Sequence, residues 1–188
     1  IDICNSRDVT VEDCFIRTLD DLIVVKSDKG RGAVRRIAAR RCVLWNEVAH
    51  ALSIGAELSE DVDDVLFEDC DVIHDKGREW TLRVFHSDAA VISNVRFENL
   101  RIEETRRLIS LWIGKAFWTR DAERGHIRDV LFKGIAARGE APVVELTGFD
   151  AEHAVENVRF QDVTVNGRPL AETDVKKNAF VRGVDVKP

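Results

Sequence analysis

Two adjacent carboxylates, Asp20 and Asp21, stand immediately before a short run of apolar and β-branched residues. A similar run later in the chain follows His50, and a third contains Arg83. When two carboxyl groups lie close together, mutual repulsion raises the pKa of one of them, so one group stays protonated as an acid while the other is ionised as a base. The hydrolysis of a glycosidic bond uses such a pair. These residue types therefore indicate a sugar-cleaving site, provided that the fold brings them together.

An internal repeat in the sequence predicts that the fold brings these residues together. Cys14, Cys42 and Cys70 are each 28 residues apart, and each lies in the same alternating pattern of apolar residues. The pattern recurs three more times without a cysteine, and the six copies begin at Val9, Ile37, Val65, Val95, Val130 and Val158. The repeat explains the cysteines as stacked, buried, free thiols, because the sequence contains no C-x-x-C pair or zinc-type histidine spacing.

Each copy of the repeat contains two alternating segments separated by a pair of Asp, Asn, Arg or Gly residues, and a third apolar segment follows. Alternation with a period of two predicts strands with one buried face, and Asn and Asp favour the bend between them. Three strands per copy are typical of a parallel β-helix. We therefore predict an all-β fold of about six coils, a single domain over residues 1–188, with residues 166–188 as an irregular last coil that caps the open end.

The coils should stack two apolar ladders in the core. One ladder is expected to contain the six residues that begin the copies, and the other is expected to contain Val11, Ala39, Phe67, Phe97, Phe132 and Phe160. A sandwich of six hairpins is the competing all-β architecture. The hairpin signal Asn-Gly, however, occurs only once, at Asn166-Gly167.

Register between the third strands predicts which side chains share a surface. Asp21, His50 and Trp80 each stand two residues before an inward-facing apolar residue, so they occupy equivalent positions on successive coils. Neighbouring coils are about 4.8 Å apart, so Asp21 and His50 are expected to be close enough to touch. Asp20 can share this surface only at a bend before Ile23, because strict alternation would send the two carboxylates to opposite faces.

Polar and aromatic side chains on the same strip are suited to sugar binding, since rings stack on sugar faces and polar groups fix hydroxyls. The long connection between Ile113 and Ile127 is expected to rise beside this strip and wall a groove. With Trp80, the predicted substrate-binding residues are Lys26, Ser53, Glu57, Arg83, Phe85 and Trp112.

Composition narrows the possible partners. The formal net charge is −6 and the basic residues are scattered among acids, whereas nucleic-acid binding favours a concentrated basic face. No apolar run approaches the roughly 20 residues that span a bilayer. We predict a carbohydrate partner, no nucleic acid and no membrane, and we predict neither a metal nor a cofactor. No targeting segment is visible, and the chain begins with Ile1, which indicates a processed protein or a fragment of a longer one.

Four stretches of the first hundred residues resemble the polygalacturonase-type enzymes of glycoside hydrolase family 28. These stretches are Asn5-Ser6-Arg7-Asp8-Val9-Thr10-Val11, Thr18-Leu19-Asp20-Asp21-Leu22-Ile23, Lys26-Ser27 and Ala49-His50-Ala51-Leu52-Ser53-Ile54-Gly55. Members of that family are inverting hydrolases with a right-handed parallel β-helix. The resemblance therefore implies hydrolysis of a polysaccharide or oligosaccharide, and a secreted or periplasmic location.

The resemblance also implies roles. Asp20 would be the general acid, Asp21 would help to activate the attacking water, and His50 would tune or orient the acid. A third catalytic aspartate of the family would lie immediately upstream of Ile1, which favours a C-terminal fragment. Two motifs differ from the family: Gly-His-Gly is replaced by Ala49-His50-Ala51, and Arg-Ile-Lys by Arg83-Val84-Phe85, without the lysine that grips a uronate carboxylate.

Other functions remain open. The stretch from Trp45 to His74 resembles the related dextranase group, which cleaves uncharged glucan. A non-catalytic β-helix could bind glycan or serve as an adhesin or tailspike-like scaffold. A β-helix polysaccharide lyase would require an arginine or lysine base and usually calcium, and the acidic clusters Glu60-Asp61 and Asp63-Asp64 are the only sequence hint of a cation site.

Overall fold

The computed structural model describes residues 1–140 and 144–188, and nearly all of its regular structure is β-strand. One short 3-10 turn, Glu172–Asp174, interrupts the strands near the C-terminus. Within the described residues no helix is long and apolar enough to cross a membrane. The strands are β1 (Asp2–Cys4), β2 (Arg7–Glu12), β3 (Phe15–Thr18), β4 (Ile23–Ser27), β5 (Val34–Arg40), β6 (Val43–Asn46), β7 (Leu52–Leu58), β8 (Val62–Glu68), β9 (Asp71–Asp75), β10 (Leu82–His86), β11 (Val91–Thr105), β12 (Ile109–Ile113), β13 (His126–Gly139), β14 (Val144–Thr147), β15 (Val155–Val165), β16 (Arg168–Pro169), β17 (Val175–Lys177) and β18 (Val181–Lys187).

Successive coils pair in parallel along two sheets, which confirms the predicted parallel β-helix of about six coils. A seven-stranded sheet has the order β1-β4-β7-β10-β12-β14-β17, and an eleven-stranded sheet contains the remaining strands. Only the short pairing of β15 with β16 is antiparallel among the described strands. The hairpin sandwich would require antiparallel neighbours throughout, so that alternative is excluded.

Both predicted core ladders are present. Val9, Ile37 and Val65 pair in register, as do Val95, Val130 and Val158 further along the sheet. In the second ladder the four phenylalanine rings are fully buried and stack with centroids 5.0, 4.9 and 5.2 Å apart. These distances are within the range preferred by aromatic pairs, so the phenylalanine stack contributes specific contacts as well as buried area.

Left-handed backbone turns the chain at the predicted bends. Asp69, Asn99, Gly134 and Asp162 occupy equivalent bends with φ between 52° and 62°. Asn, Asp and Gly tolerate this conformation better than other residues. Arg41 occupies the same bend with φ 50° and contacts Asp13 on the preceding coil, with Nε 2.8 Å from Oδ1. The ion pair is thus formed by an arginine in a left-handed backbone conformation, which is otherwise unfavourable for this residue type.

The stacked cysteines and the C-terminal tail complete the coils. Cys14, Cys42 and Cys70 lie on successive coils, and all of them are free thiols. Burial raises the pKa of Cys70 to about 12, so this thiol stays protonated. Within residues 166–188, β17 and β18 each add a parallel strand, so the tail extends both sheets.

Candidate active site

A cavity of about 310 Å³ opens beside the seven-stranded sheet, at the residues that precede β4, β7 and β10. It is open to solvent on one side and is lined by charged side chains from three successive coils. Six of the predicted site residues line it, namely Asp20, Asp21, Lys26, His50, Glu57 and Arg83. The parallel pairing of β4, β7 and β10 brings these side chains together, because it superposes residues about thirty positions apart.

A turn before β4 directs both carboxylates into the cavity. The backbone N–H of Asp21 donates to Oδ1 of Asp20 over 2.8 Å, and the N–H of Asp20 donates to Oγ1 of Thr18 over 3.3 Å. Both residues precede the strand, so the alternation of side chains along a strand does not place them on opposite faces. The Asp20 side chain is exposed to solvent, whereas the Asp21 side chain is only 10% exposed.

His50 lies on the next coil, directly beside Asp21. Its backbone N–H donates to Asp21 Oδ1 over 3.1 Å, and its Nδ1 donates to the carbonyl oxygen of Trp80 over 2.8 Å. Burial, followed by the positive charge of Arg83, lowers the pKa of His50 to about 4. The imidazole is therefore neutral at pH 7, and Nε2 is an acceptor 4.0 Å from Asp21 Oδ1 and 3.5 Å from Glu79 Oε2.

Arg83 links the acidic groups of the cavity. Its guanidinium nitrogens lie 3.5 Å from Asp21 Oδ2 and 3.5 Å from Glu79 Oε2. Nε donates to Ser53 Oγ over 2.8 Å, and the guanidinium carbon lies 4.9 Å from the centroid of the Phe85 ring. A planar guanidinium held at four places has little freedom, so Arg83 presents a fixed positive charge to Asp21.

Burial raises the pKa of Asp21 above its ordinary value. The charge of Arg83 opposes this shift, and the charge of Asp20 adds to it. From the sequence, mutual repulsion is the expected cause of a raised pKa within the pair. In the folded chain desolvation is the larger cause, because Asp21 is enclosed by the neighbouring coil while Asp20 is exposed.

Replacing Arg83 by Gln is expected to raise the pKa of Asp21 further. The substitution removes the nearby positive charge that favours the ionised carboxylate, so protonation of Asp21 should persist to higher pH. The pKa can be read from the carboxyl ¹³C chemical shift of Asp21, assigned by its absence in Asp21→Asn. Arg83→Lys keeps the charge and is the matched control. An Asp21 pKa that is unchanged or lower in Arg83→Gln would show that Arg83 does not control this carboxylate.

Four predicted residues lie outside the cavity lining. Ser53 and Trp80 are buried. The Ser53 hydroxyl oxygen accepts a hydrogen bond from Arg83, and the Trp80 carbonyl oxygen accepts one from His50, so both residues support a neighbouring site residue. Phe85 and Trp112 pair on the outer face of β10 and β12, with ring centroids 5.4 Å apart. They form an aromatic patch next to the cavity. Ser53 is covered because the long Arg83 side chain lies across the shorter serine on the adjacent strand.

Lys26 and Glu57 share the far side of the cavity. The Nζ atom of Lys26 lies 3.7 Å from Glu57 Oε2 and 3.0 Å from Asp2 Oδ2. These carboxylates raise the pKa of Lys26 against the effect of burial, so the amine carries its charge at neutral pH. A positive charge thus faces the cavity from the coil that also supplies Asp21.

Arg78 and Glu79 also line the cavity and are not among the residues predicted from the sequence. A signal for Glu79 was present, because counting three residues back from the inward-facing Ile23 and Leu82 gives Asp20 and Glu79 on equivalent positions. Phe117 and Trp118, from the long connection after β12, also line the cavity. That connection therefore walls the cavity as expected.

The two acidic clusters, Glu60-Asp61 before β8 and Asp63-Asp64 within it, are engaged in contacts between neighbouring coils. Asp61 accepts the backbone N–H of Val91 over 2.8 Å, and Asp63 accepts the hydroxyl of Ser93 over 2.9 Å. Asp64 pairs with Arg96 at 3.1 Å. Across residues 1–140 and 144–188, no group of three His, Cys, Asp or Glu side chains has a geometry that could hold a metal ion.

Comparisons with known proteins agree with this fold. The sequence matches the family described as "Glycosyl hydrolases family 28" over residues 1–183. A hyperthermoactive exopolygalacturonase from Thermotoga maritima has a similar structure, with a TM-score of 0.79 and 19% sequence identity. The match covers 100% of this chain and 43% of that chain, so this chain spans less than half the length of that protein. A search of curated protein sequences found no significant match. Because the family match extends over nearly the whole sequence, this chain belongs to glycoside hydrolase family 28.

Proposed function

We propose that this protein hydrolyses glycosidic bonds of a polysaccharide or oligosaccharide with inversion of the anomeric configuration. The observation that carries the proposal is the meeting of Asp20, Asp21 and His50, from two successive coils, in one solvent-open cavity. Arg83 from a third coil reaches the same cavity. Two carboxylates beside a neutral imidazole can donate one proton and accept another, which is the chemistry of glycoside hydrolysis.

In the proposed mechanism Asp20 protonates the oxygen of the leaving sugar. Its exposed carboxyl group can reach a glycosidic oxygen in the cavity, whereas Asp21 is enclosed by the backbone of His50 and by Arg83. Proton donation by a positioned carboxylic acid contributes about 10²- to 10⁴-fold to the rate.

Asp21 helps to remove a proton from the attacking water. The raised pKa of Asp21 suits this role, because a more basic carboxylate accepts a proton more readily once it is ionised. Arg83 opposes the rise and thereby keeps Asp21 from remaining protonated as the pH increases. Burial and Arg83 therefore act in opposite directions on a base whose pKa lies above that of an ordinary aspartate.

His50 is a positioning residue in this proposal. Its Nδ1–H is committed to the Trp80 carbonyl, which fixes the ring and leaves Nε2 as the acceptor that faces the carboxylates. This nitrogen lies 3.5 Å from Glu79 Oε2 and 4.0 Å from Asp21 Oδ1, so His50 stands beside the proposed base, whereas the family resemblance assigned it to the acid Asp20. Substitution of His50 is therefore expected to shift the pH profile of turnover in addition to lowering the rate.

Polygalacturonate is the first substrate to test, since the family and the structural neighbour both support a polygalacturonase-like activity. A neutral glucan is the second candidate, because Phe85 covers the Arg83 guanidinium where the family motif has a lysine. Proton NMR of the fresh reaction mixture identifies both the preferred substrate and the stereochemistry. Inversion of an α-linked polymer predicts that the β-anomer of the new reducing end appears first.

The same spectra separate the alternatives. Initial release of the α-anomer would contradict inversion, and an unsaturated product would indicate a lyase. If neither polygalacturonate nor dextran is cleaved while either one binds, the non-catalytic β-helix is the better description. Family resemblance also supports action outside the cytoplasm, which fractionation of the producing cells and assay of each fraction would test.

A further inference from the structure

We propose that Phe117, supported by Trp118, is a stacking platform for a pyranose ring at the mouth of the active-site cavity. This assignment rests on the proposed function and adds a substrate-binding residue to it. Phe117 and Trp118 come from the connection between β12 and β13 and line the same cavity as Asp20 and His50. The long connection thereby brings aromatic rings to a cavity whose other lining is largely charged.

Phe117 stabilises little of the fold. Its side chain is 97% exposed, whereas the four stacked phenylalanines are fully buried. Its aromatic contact is with Trp118, whose ring lies edge-on at a centroid distance of 4.7 Å and an angle of 78°. Beside this contact the Phe117 side chain remains almost fully exposed, so a ligand can stack on its ring.

The backbone around Phe117 is fastened on both sides. Ala116 and Thr119, which flank Phe117 and Trp118, close a turn through two hydrogen bonds. The N–H of Ala116 donates to Thr119 Oγ1 over 2.9 Å, and the N–H of Thr119 donates to the Ala116 carbonyl oxygen over 3.1 Å. Further along, a carboxylate oxygen of the buried Asp88 accepts the N–H groups of Arg120 and Asp121 over 2.7 and 3.0 Å. The platform therefore lies on an ordered segment.

Two ion pairs tie this segment to the loop that follows β4. The guanidinium of Arg120 contacts Asp28 Oδ1 at 2.5 Å, and Nζ of Lys29 contacts Asp121 Oδ1 at 2.9 Å. The linked residues are 92 positions apart in sequence. Because β4 begins shortly after Asp21, these contacts join the platform segment to the coil that carries the two carboxylates. A ring held in place before binding reduces the ordering cost of binding.

The ligand class follows from what an exposed phenyl ring can recognise. Hexopyranose rings have a face of C–H groups that packs on an aromatic ring, while their hydroxyl and carboxyl substituents project sideways. Charged groups of the cavity, among them Lys26 and Arg78, remain available to those substituents. The platform is therefore expected to bind the ring of a uronate or of a neutral hexose, and the charged lining to distinguish them.

The test compares Phe117→Ala, Phe117→Trp and the control Phe149→Ala, whose ring is partly exposed and outside the cavity lining. With tetragalacturonate as the probe, Phe117→Ala is expected to raise KM about five- to tenfold and to change kcat less than twofold, since stacking contributes about 1 kcal/mol. Phe117→Trp should restore KM and Phe149→Ala should leave it unchanged. All three variants should keep the melting temperature of the parent protein within a few degrees.

Isothermal titration of tetragalacturonate into the Asp20→Asn background separates binding from turnover. The same five- to tenfold loss of affinity on adding Phe117→Ala supports the platform. If the parent protein cleaves the probe and Phe117→Ala has an unchanged KM and Kd, the platform is excluded while the proposed function stands. If the parent neither binds nor cleaves tetragalacturonate or isomaltotetraose, both proposals fail.

Discussion

Replacement of Asp20 by Asn is expected to lower kcat by about 10²- to 10⁴-fold, the contribution of a positioned general acid. The substitution keeps the shape of the side chain and the acceptor oxygen that receives the N–H of Asp21. It removes only the proton that the leaving group requires. The exposed position of Asp20 means that the melting temperature should change by no more than a few degrees.

The measurement is the rate of release of reducing ends from the preferred substrate, together with a thermal melt of each variant. Asp162→Asn is the matched control, because Asp162 is exposed, lies at a bend away from the cavity, and has a backbone conformation that Asn adopts readily. The control should retain full activity. Undiminished turnover by Asp20→Asn would remove Asp20 from the mechanism.

Asp21→Asn should also abolish most turnover, since it removes the proposed base. Because the acid and the base act in the same step, a double variant with Asp20→Asn and Asp21→Asn is expected to have nearly the same kcat as the less active of the two single variants. Independent, multiplying losses from the two substitutions would instead indicate that the carboxylates serve separate functions.

The second large effect concerns stability. Replacing Phe97 by Ala is expected to lower the free energy of unfolding by about 3–5 kcal/mol. Phe97 is fully buried between Phe67 and Phe132, with centroid distances of 5.0 and 4.9 Å. Truncation leaves a void and removes two stacking contacts at once, and the flanking coils cannot collapse without breaking their backbone register.

Chemical denaturation followed by circular dichroism measures this loss. Phe149→Ala, in which the ring lost is partly exposed, should cost about 0.5 kcal/mol or less. Phe97→Leu should fall between the two, because it fills part of the void. An effect of Phe97→Ala no larger than that of Phe149→Ala would mean that the stack does not hold the coils together.

Sequence alone predicted the fold because the repeated coil leaves a repeated pattern. The alternation around Phe67, Phe97 and Phe132 identifies strands, and a spacing near 30 residues identifies the coil length. Asn and Asp at the bends are visible for the same reason. Arg36 and Arg41 are less readable, because arginine is uncommon in left-handed backbone and its partners Asp8 and Asp13 become neighbours only after stacking.

The candidate site was predictable where strand register governs it. Asp21, His50 and Trp80 occupy successive coils as their spacing indicated, because parallel pairing superposes them. Burial of Ser53 was not predictable from alternation, since an outward-facing serine is normally exposed. It follows from the side chain of Arg83 lying across it, which is a tertiary contact.

Loops set the remaining part of the site. The position of Arg78 depends on the turn before β10, and the position of Phe117 depends on ion pairs between residues 92 apart. No local pattern encodes such contacts. The length of the connection after β12 indicated a wall, whereas the side chains that face the cavity could be identified only in the folded chain.

A crystal structure of the Asp20→Asn variant with bound tetragalacturonate tests most directly whether stacked coils build one active site. The oligosaccharide should occupy the cavity, with a glycosidic oxygen about 3 Å from the side chain at position 20, within hydrogen-bonding reach. Asp21 and His50 should stay side by side beneath it. An oligosaccharide bound on another face of the helix, or Asp21 and His50 on separate surfaces, would contradict the account.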